Sequence, residues 1–221
     1  MKKARMTIVL GIGLGFAFAV WTLLVMSVDV RRVGVQATTV GFATLNVRFH
    51  SLTGVDMMLY NITDWLGLMP VAVCVFFAAV GLVQLVKRKS LKKVDTDIIL
   101  LGAYYAVVIA GYLIFETIPI NYRPVLINGM AEASYPSSTT LLVLSVMPTL
   151  TLQSDRRLRN IKAKKLIKAV SVFFAAFMLL GRLISGVHWL TDIIGAVLLS
   201  LGLFLIYKGA VLWSLEKSCK P

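Results

Sequence analysis

Two short segments of the chain carry residue types that suit the binding of a phosphate group. The first contains Glu116, Arg123, Ser137, Ser138 and Thr139, and the second contains Arg182, His188 and Asp192. An arginine offers a fixed positive charge and a planar fork of N–H donors that matches phosphate oxygens. Polar residues at the start of a helix add free backbone N–H groups that favour an anion. Both segments therefore contain parts of a phosphate site.

His188 and Asp192 are four residues apart, so they share a helical face if a helix begins near Val187. A carboxylate in that position accepts a hydrogen bond from one imidazole nitrogen and leaves the other free and basic. This arrangement suits a histidine nucleophile. We therefore predict catalytic roles for His188 and Asp192, and phosphate-binding roles for Arg123, Arg182, Ser137 and Ser138. Taken singly, each has a plainer explanation, such as a residue that contacts lipid head groups.

Long apolar runs must position these segments. Of the 221 residues, 58% are hydrophobic, more than in an average soluble domain. The runs cover residues 6–28, 59–86, 98–118, 136–153, 169–183 and 189–213, and about 20 apolar residues suffice to cross a bilayer. Residues 40–46 read as an amphipathic turn or short helix, and 119–135 as a non-helical connector. We predict an all-α polytopic membrane protein, a six-transmembrane-helix bundle that forms a single domain over residues 1–221.

The distribution of basic residues predicts the orientation of this bundle. Of the 23 Lys and Arg residues, 18 fall in the segments on one side of the predicted membrane. The other five are Arg31, Arg32, Arg48, Arg123 and Arg182. Positive charge marks the cytoplasmic side. Both termini are therefore expected inside the cell, and both phosphate-binding segments face the outer side of a plasma membrane.

Charge and cysteine content argue against other classes of protein. The formal net charge of +13 lies in short gaps between apolar runs, where membrane topology explains it better than nucleic-acid binding does. Cys74 and Cys219 are far apart in sequence, and the pattern predicts neither a disulfide framework nor a zinc site. We expect no metal and no cofactor.

The polar segments resemble the motifs of the type 2 phosphatidic acid phosphatase family, in its membrane-bound branch. That family carries Lys-x6-Arg-Pro, Pro-Ser-Gly-His and Ser-Arg-x5-His-x3-Asp. Here the three motifs read Glu116-x6-Arg123-Pro124, Pro136-Ser137-Ser138-Thr139 and Gly181-Arg182-x5-His188-x3-Asp192. The resemblance implies metal-independent hydrolysis of a lipid phosphate or diphosphate through a phosphohistidine on His188, which Asp192 orients.

Two departures fall on working positions of these motifs, and we treat them as modulators. Thr139 stands where the family has the histidine that protonates the leaving group, and a threonine hydroxyl cannot supply that acid. Glu116 replaces the family's lysine. It either donates a proton in its neutral form or, when ionised, pairs with Arg123 and competes with phosphate. Gly181 replaces a serine, which is a milder change.

Two functions remain open on this reading. The first is a lipid phosphatase acting on an isoprenoid diphosphate or on a lipid of the phosphatidic acid or phosphatidylglycerophosphate type. The second is a catalytically impaired relative that binds lipid phosphates without hydrolysing them. Thr139 and Glu116 favour the second function. Arg182, His188 and Asp192 favour the first, because binding alone does not need a His/Asp pair at this spacing.

Overall fold

The computed structural model describes residues 1–218 and confirms an all-α fold; Cys219 and Lys220 lie outside the described residues. The helices are α1 (Lys2–Ser27), α2 (Ala43–Thr53), α3 (Met57–Leu66), α4 (Leu68–Arg88), α5 (Thr96–Thr117), α6 (Ser138–Arg157), α7 (Ile161–Ile184) and α8 (Leu190–Ser218). Two short strands, β1 (Arg31–Arg32) and β2 (Thr39–Val40), pair antiparallel between α1 and α2. Short 3₁₀ turns cover Val35–Ala37 and Leu91–Lys93.

Five helical segments among residues 1–218 are long and apolar enough to cross a membrane. They are α1, the pair α3–α4, α5, α7 and α8. The predicted fourth span, α6, has 20 residues, which is also about enough to cross the hydrocarbon core. It is more polar because it packs against α4, α5, α7 and α8, so much of its surface faces protein. The count of six spans and the position of the termini stay predictions.

Several helix boundaries differ from those expected. The apolar run 59–86 is divided at Gly67 into α3 and α4. Helix α7 begins at Ile161 rather than near 169, because the Asn160 side chain caps it by accepting from the N–H groups of Lys162 and Ala163. Helix α8 begins at Leu190, so His188 precedes it rather than lying on its face. The connector 119–135 is non-helical, as predicted.

Helices α1 and α8 pack closely against each other through glycine. A Cβ atom on Gly11 of α1 would lie 2.8 Å from the backbone oxygen of Gly202 on α8. Only glycine permits this approach, which is typical of packed helices in membranes. Because α8 also carries Asp192, this contact fixes the helix that holds part of the candidate site.

The two ends of the bundle differ in chemistry. At one end, ion pairs join α4, α5 and α6: Arg88 lies 2.7 Å from Asp95, and Arg156 and Arg157 each lie 3.0 Å from Asp97. The opposite end carries the connectors 28–42, 118–137 and 185–189. These connectors hold the polar segments identified in the sequence.

Candidate functional site

The connector between α5 and α6 folds back on itself and brings its two ends to the site. The Arg123 N–H donates to the carbonyl of Glu132, and the Ser134 N–H donates to the carbonyl of Asn121, at 3.0 and 2.9 Å. This hairpin places Asn121, Arg123 and Ser134 side by side, and all three are buried. The Trp189 indole N–H donates to the Tyr122 carbonyl at 2.8 Å, which fastens the connector to the segment that carries His188.

A serine links the predicted His/Asp pair. His188 Nδ1 lies 3.9 Å from the Asp192 carboxylate, too far for a hydrogen bond. The Ser134 hydroxyl lies 3.1 Å from His188 Nδ1 and donates a short hydrogen bond to Asp192. Since its one proton goes to Asp192, the hydroxyl oxygen accepts from a protonated Nδ1. The structure therefore brings the pair together through Ser134 and leaves Nε2 as the unprotonated nitrogen.

Two further hydrogen bonds hold the Asp192 carboxylate in place. It accepts from the Trp189 backbone N–H at 2.9 Å and from the Asn121 amide at 3.3 Å. The Asp192 side chain is fully buried. A carboxylate held by several donors keeps a fixed direction, so it can orient Ser134 and, through it, the imidazole of His188.

The surroundings of His188 keep its imidazole neutral. Burial lowers the pKa of His188 well below its usual value, and the positive charges of Arg123 and Arg182 lower that pKa further. A neutral imidazole has a lone pair, which a nucleophile requires. The Nε2 atom is buried and has no hydrogen-bond partner among the described residues.

Both predicted phosphate-binding arginines approach the ring of Tyr60, a residue of α3. The guanidinium carbon of Arg182 lies 4.7 Å from the ring centre, and that of Arg123 lies 5.5 Å from it. Tyr60 itself packs with Ile127 of the connector and with Val187. The tyrosine therefore joins the two guanidinium groups to each other and to the segment before His188.

The two guanidinium groups keep unused hydrogen-bond donors. Nε and Nη1 of Arg123, and Nε and Nη2 of Arg182, are buried without a hydrogen-bond partner in the described part of the chain. Arg182 is fully buried, and Arg123 is 7% exposed. Buried charged donors are normally paired. Together with His188 Nε2, these atoms form a site whose chemistry fits an anion.

A carboxylate stands beside each arginine. Glu132 lies 3.2 Å from Arg123 Nε, but not in a hydrogen-bonding orientation. Asp64 of α3 lies 3.4 Å from Arg182 Nη1, and the Thr63 hydroxyl lies 3.4 Å from the same atom. Of the two alternatives for Glu116, the ion pair with Arg123 is not present among the described residues. Glu132 takes that place, because the hairpin brings it next to Arg123.

Ser137 and Ser138 lie at the start of α6, as predicted, but they differ in what they offer. The Ser137 N–H donates to the Asp192 carbonyl at 3.2 Å, and its hydroxyl lies 3.0 Å from that of Thr140. Ser138 is the first helical residue, and the N–H groups of a first turn have no partner within the helix. Ser138 is thus the better placed of the two to meet an anion.

The positions that depart from the family motifs have distinct surroundings. Glu116 is exposed, near the end of α5. Thr139 lines a cavity together with Asp64 and Ser138. A Cβ atom on Gly181 would lie 2.7 Å from the Thr63 methyl carbon. Glycine at 181 therefore lets α3 approach α7 next to Arg182.

Sequence reasoning missed five residues of this site. They are Asn121, Glu132, Ser134, Tyr60 and Asp64. The first three lie in the connector between two motifs, so their position close to Arg123 and Pro136 is a weak signal. Tyr60 and Asp64 lie far from every motif, within an apolar run. Only the approach of α3 to α7 brings them to the site.

The structure is that of a polytopic membrane protein, with the unpartnered donors of Arg123 and Arg182 and the free Nε2 of His188 buried at one end of a helix bundle. A sequence model of the PAP2 superfamily matches residues 98–215, more than half of the chain. The chain belongs to the PAP2 superfamily, and this membership supports a lipid phosphatase. No match was found among curated proteins.

A solved structure has a similar fold. It is described as the crystal structure of the first transmembrane PAP2 type phosphatidylglycerolphosphate phosphatase from Bacillus subtilis. The TM-score is 0.63 and the sequence identity is 16%, with 95% of this chain and 97% of that chain covered. At this identity the comparison supports the transmembrane PAP2 fold.

Proposed function

We propose that this protein is a lipid phosphatase that cleaves a phosphate group from a membrane lipid through a phosphohistidine on His188. The observation that carries the proposal is the set of nitrogen atoms on Arg123, Arg182 and His188 that have no hydrogen-bond partner among the described residues and are buried at one end of the bundle. Two guanidinium forks bind phosphoryl oxygens, and a neutral imidazole nitrogen supplies the nucleophile.

The reaction proceeds in two displacements at phosphorus. In the first, the lone pair of His188 Nε2 forms a bond to the terminal phosphorus, and the bond from that phosphorus to the oxygen of the leaving group breaks. A diphosphate releases the lipid monophosphate, whereas a monoester releases the lipid alcohol, whose oxygen takes its proton from water. Arg123 and Arg182 stabilise the charge on the phosphoryl oxygens in the transition state. In the second, the oxygen of a water molecule attacks phosphorus and the N–P bond breaks. Inorganic phosphate leaves, and the imidazole returns to its starting state.

Ser134 and Asp192 position the nucleophile in this mechanism. As Nε2 bonds to phosphorus, the imidazole gains positive charge and its Nδ1–H becomes a stronger donor. The Ser134 oxygen accepts that hydrogen bond, and the Ser134 hydroxyl in turn donates a hydrogen bond to the Asp192 carboxylate. The buried Asp of hydrolase triads stabilises an imidazolium in the same way.

A cavity beside the site suits a lipid substrate. It has a volume of about 420 Å³ and lies between α3, α4, α5 and α6. Asp64, Ser138 and Thr139 form its polar part, whereas Val71, Val108, Ile109 and Leu142 are among its apolar walls. A head group at the arginines would place its chain along these walls, as ligand pockets with few polar groups do.

The residue at 139 favours a diphosphate among lipid substrates. General acid catalysis is typically worth about 10²- to 10⁴-fold, and Thr139 supplies none. An alkoxide that leaves a phosphomonoester needs such an acid, whereas a phosphate that leaves a diphosphate needs it much less. We therefore propose an isoprenoid diphosphate as a better substrate than phosphatidic acid or phosphatidylglycerophosphate.

The alternative is a relative that binds lipid phosphates without hydrolysing them. Thr139 supports it, and so do the carboxylates of Asp64 and Glu132, because each lies beside an arginine and competes with a phosphate for it. The bridged arrangement of His188, Ser134 and Asp192 supports the enzyme instead, since binding an anion does not require an oriented neutral imidazole.

The location follows from the charge distribution. With positive charge marking the cytoplasmic side, we propose that the single membrane-embedded domain, residues 1–221, lies in the plasma membrane. The site then faces the outer side, and both termini face the cytoplasm. The ion-pair cluster around Asp97 lies at the cytoplasmic end, opposite the site.

Phosphate release from a panel of lipid mono- and diphosphates tests the proposal. The assay uses purified full-length protein without added metal and with a chelator, because no step requires a metal ion. We expect release from wild type and none from His188→Ala. The matched control is His50→Gln, which alters the other histidine. Release retained in His188→Ala would overturn the mechanism, and binding without release by the wild type would establish the alternative.

A further inference from the structure

A second polar cluster lies at the other end of the bundle, far from the candidate site along α6, α7 and α8. Lys168 of α7 and Lys208 of α8 line one end of a groove between these helices, and the Ser171 side chain also lines it. Deeper along the groove, the walls are apolar and include Met147, Val172 and Phe204. The groove therefore has a basic end and an apolar end.

The polar groups of this groove have no partners within the protein. Ser171 is 3% exposed, and its hydroxyl has no hydrogen-bond partner in residues 1–218. Lys168 and Lys208 form no ion pair with any described residue, whereas the Asp97 cluster nearby is fully paired. An unpaired buried hydroxyl costs free energy unless it meets a ligand or water. The groove thus presents unused donors next to two unpaired cations.

The net positive charge at one end of the groove favours a negatively charged ligand. Asp155 also lines it, but the two lysines outweigh this single carboxylate. In addition, the Lys164 ammonium donates to the Asp155 backbone carbonyl at 2.6 Å, which brings a third cation close to the same end. The basic end of the groove therefore attracts an anion.

The dimensions of the groove match one end of a phospholipid. Lys168 and Ala175 line it seven positions apart on α7, which corresponds to roughly 10 Å along the helix axis. A phosphate group at the lysines would thus place the start of an acyl chain against the apolar walls. Basic pockets between transmembrane helices on the cytoplasmic side are typical binding sites for anionic head groups.

We infer that this groove binds the head group of an anionic phospholipid from the membrane leaflet opposite the candidate active site. Lys168 and Lys208 contact the phosphodiester, and the Ser171 hydroxyl donates to one of its oxygens. The bound lipid joins α6, α7 and α8 at the end of the bundle where the ion pairs of Asp97 connect α5 to α6 only. The site is separate from His188 and does not depend on catalysis.

Lipid binding by the full-length protein in a neutral detergent tests this inference. Phosphatidylglycerol is titrated against phosphatidylcholine of the same chain length, and bound lipid is counted by native mass spectrometry. We expect tighter binding of phosphatidylglycerol, weakened by about tenfold or more in the Lys168→Gln/Lys208→Gln variant. Ser171→Ala should weaken it by roughly fivefold.

The matched control is Lys162→Gln/Lys165→Gln, which removes the same charge from exposed positions of α7 outside the groove. Equal weakening in this control would show general attraction to basic residues and would overturn the inference. Equal binding of the two lipids would overturn it as well. So would displacement by millimolar inorganic phosphate, since this would mean either occupancy of the active site or a small-anion site.

If the double glutamine variant does not fold, two further variants test the inference in its place. Lys168→Arg/Lys208→Arg keeps both charges and should keep phosphatidylglycerol binding. Ser171→Ala keeps the helix and removes only the donor. Retained binding in the first together with weaker binding in the second supports the inference, and unchanged binding in Ser171→Ala overturns it.

Discussion

The guanidinium carbon of Arg182 lies 4.7 Å from the centre of the Tyr60 ring. Arg123 lies 5.5 Å from the same ring, so a single aromatic side chain contacts both predicted phosphate-binding residues. The two guanidinium charges repel each other, and the electron-rich ring face offsets part of that repulsion. Tyr60 is therefore a positioning residue for the anion site.

Replacing Tyr60 should weaken phosphate binding more than turnover. We expect Tyr60→Leu to raise KM and the inhibition constant of inorganic phosphate by roughly tenfold, because both arginines lose a cation–π contact. The value of kcat should change much less. Tyr60→Phe keeps the ring and should behave as wild type. A change of kcat alone in Tyr60→Leu would contradict this role.

Ser134 should be essential for the rate rather than for binding. In Ser134→Ala, His188 Nδ1 loses its acceptor and Asp192 is left 3.9 Å away. We expect kcat to fall by about 10²-fold, with KM nearly unchanged, since the orientation of the nucleophile and the stabilisation of its charge are lost.

Ser134→Thr is the control for that change, because it keeps a hydroxyl between the same two groups. Its kcat should lie closer to wild type than to Ser134→Ala. Both rates are measured on the same diphosphate substrate. If the alanine variant turned over substrate at the wild-type rate, the linking role of the serine would be wrong.

How much of the fold can be predicted from the sequence depends on whether a helix faces lipid or packs against other helices. Apolar helices that contact lipid were recognisable, because the bilayer requires long uncharged runs. Helix α6 was predicted from the same pattern, yet it is more polar because it packs among other helices. The break at Gly67 was not predicted, since the apolar run 59–86 contains a single charged residue, Asp64, and continues on both sides of Gly67.

In the candidate site, too, local sequence patterns were predictable and tertiary contacts were not. Arg182, His188 and Asp192 were identified by their spacing within one short segment, and the structure brings them to one end of the bundle. The predicted direct hydrogen bond between His188 and Asp192 was wrong in detail, because α8 begins at Leu190 and Ser134 fills the gap. Contacts such as that of Tyr60 depend on tertiary packing and carry no local signal.

The pH dependence of turnover should reflect the lowered pKa of His188. The nucleophile is active when neutral, so activity is lost as the pH falls through the pKa of His188. Burial and the charges of Arg123 and Arg182 lower that pKa, and the acid limb should therefore lie below pH 6.5, the ordinary value for histidine.

Removing one of these charges should move the acid limb upward. Without the cation of Arg123, the imidazolium form is less disfavoured, so the pKa of His188 rises and activity is lost at a higher pH. We expect a shift of roughly one pH unit in the residual activity of Arg123→Gln. Arg48→Gln, an exposed arginine on the same side, is the control and should leave the profile unchanged. A downward shift would contradict the assignment.

Gly181 and Thr63 should be energetically coupled. A Cβ atom at 181 would lie 2.7 Å from the Thr63 methyl carbon, so restoring the family's serine forces α3 away from α7. We expect Gly181→Ser to destabilise the protein by about 1–3 kcal/mol and to weaken phosphate binding, because Thr63 lies beside Arg182. Thermal unfolding in detergent and KM report the two effects.

Thr63→Ser supplies the test of that coupling. It removes the methyl group but keeps the hydroxyl that lies 3.4 Å from Arg182 Nη1. The double variant Gly181→Ser/Thr63→Ser should therefore recover much of the lost stability. Strict additivity of the two single changes would show that the contact does not cause the loss.

Thr139 should determine which lipids are hydrolysed. It lines the cavity that also contains Asp64 and Ser138, and it stands at the motif position where the family has the histidine that protonates the leaving group. We expect Thr139→His to raise turnover of phosphatidic acid by about tenfold or more, because an imidazolium can protonate the departing alkoxide. Turnover of an isoprenoid diphosphate should change little, since its leaving phosphate needs no such proton.

The ratio of the turnover rates on phosphatidic acid and on the isoprenoid diphosphate, measured on one preparation, separates this effect from any change in folding. Thr139→Gln is the matched control, as it fills part of the cavity without adding an acid, and it should leave the ratio unchanged. A histidine that raised both rates equally would indicate a general improvement of the site. A histidine that raised neither would show that the absent acid at position 139 does not limit the hydrolysis of monoesters.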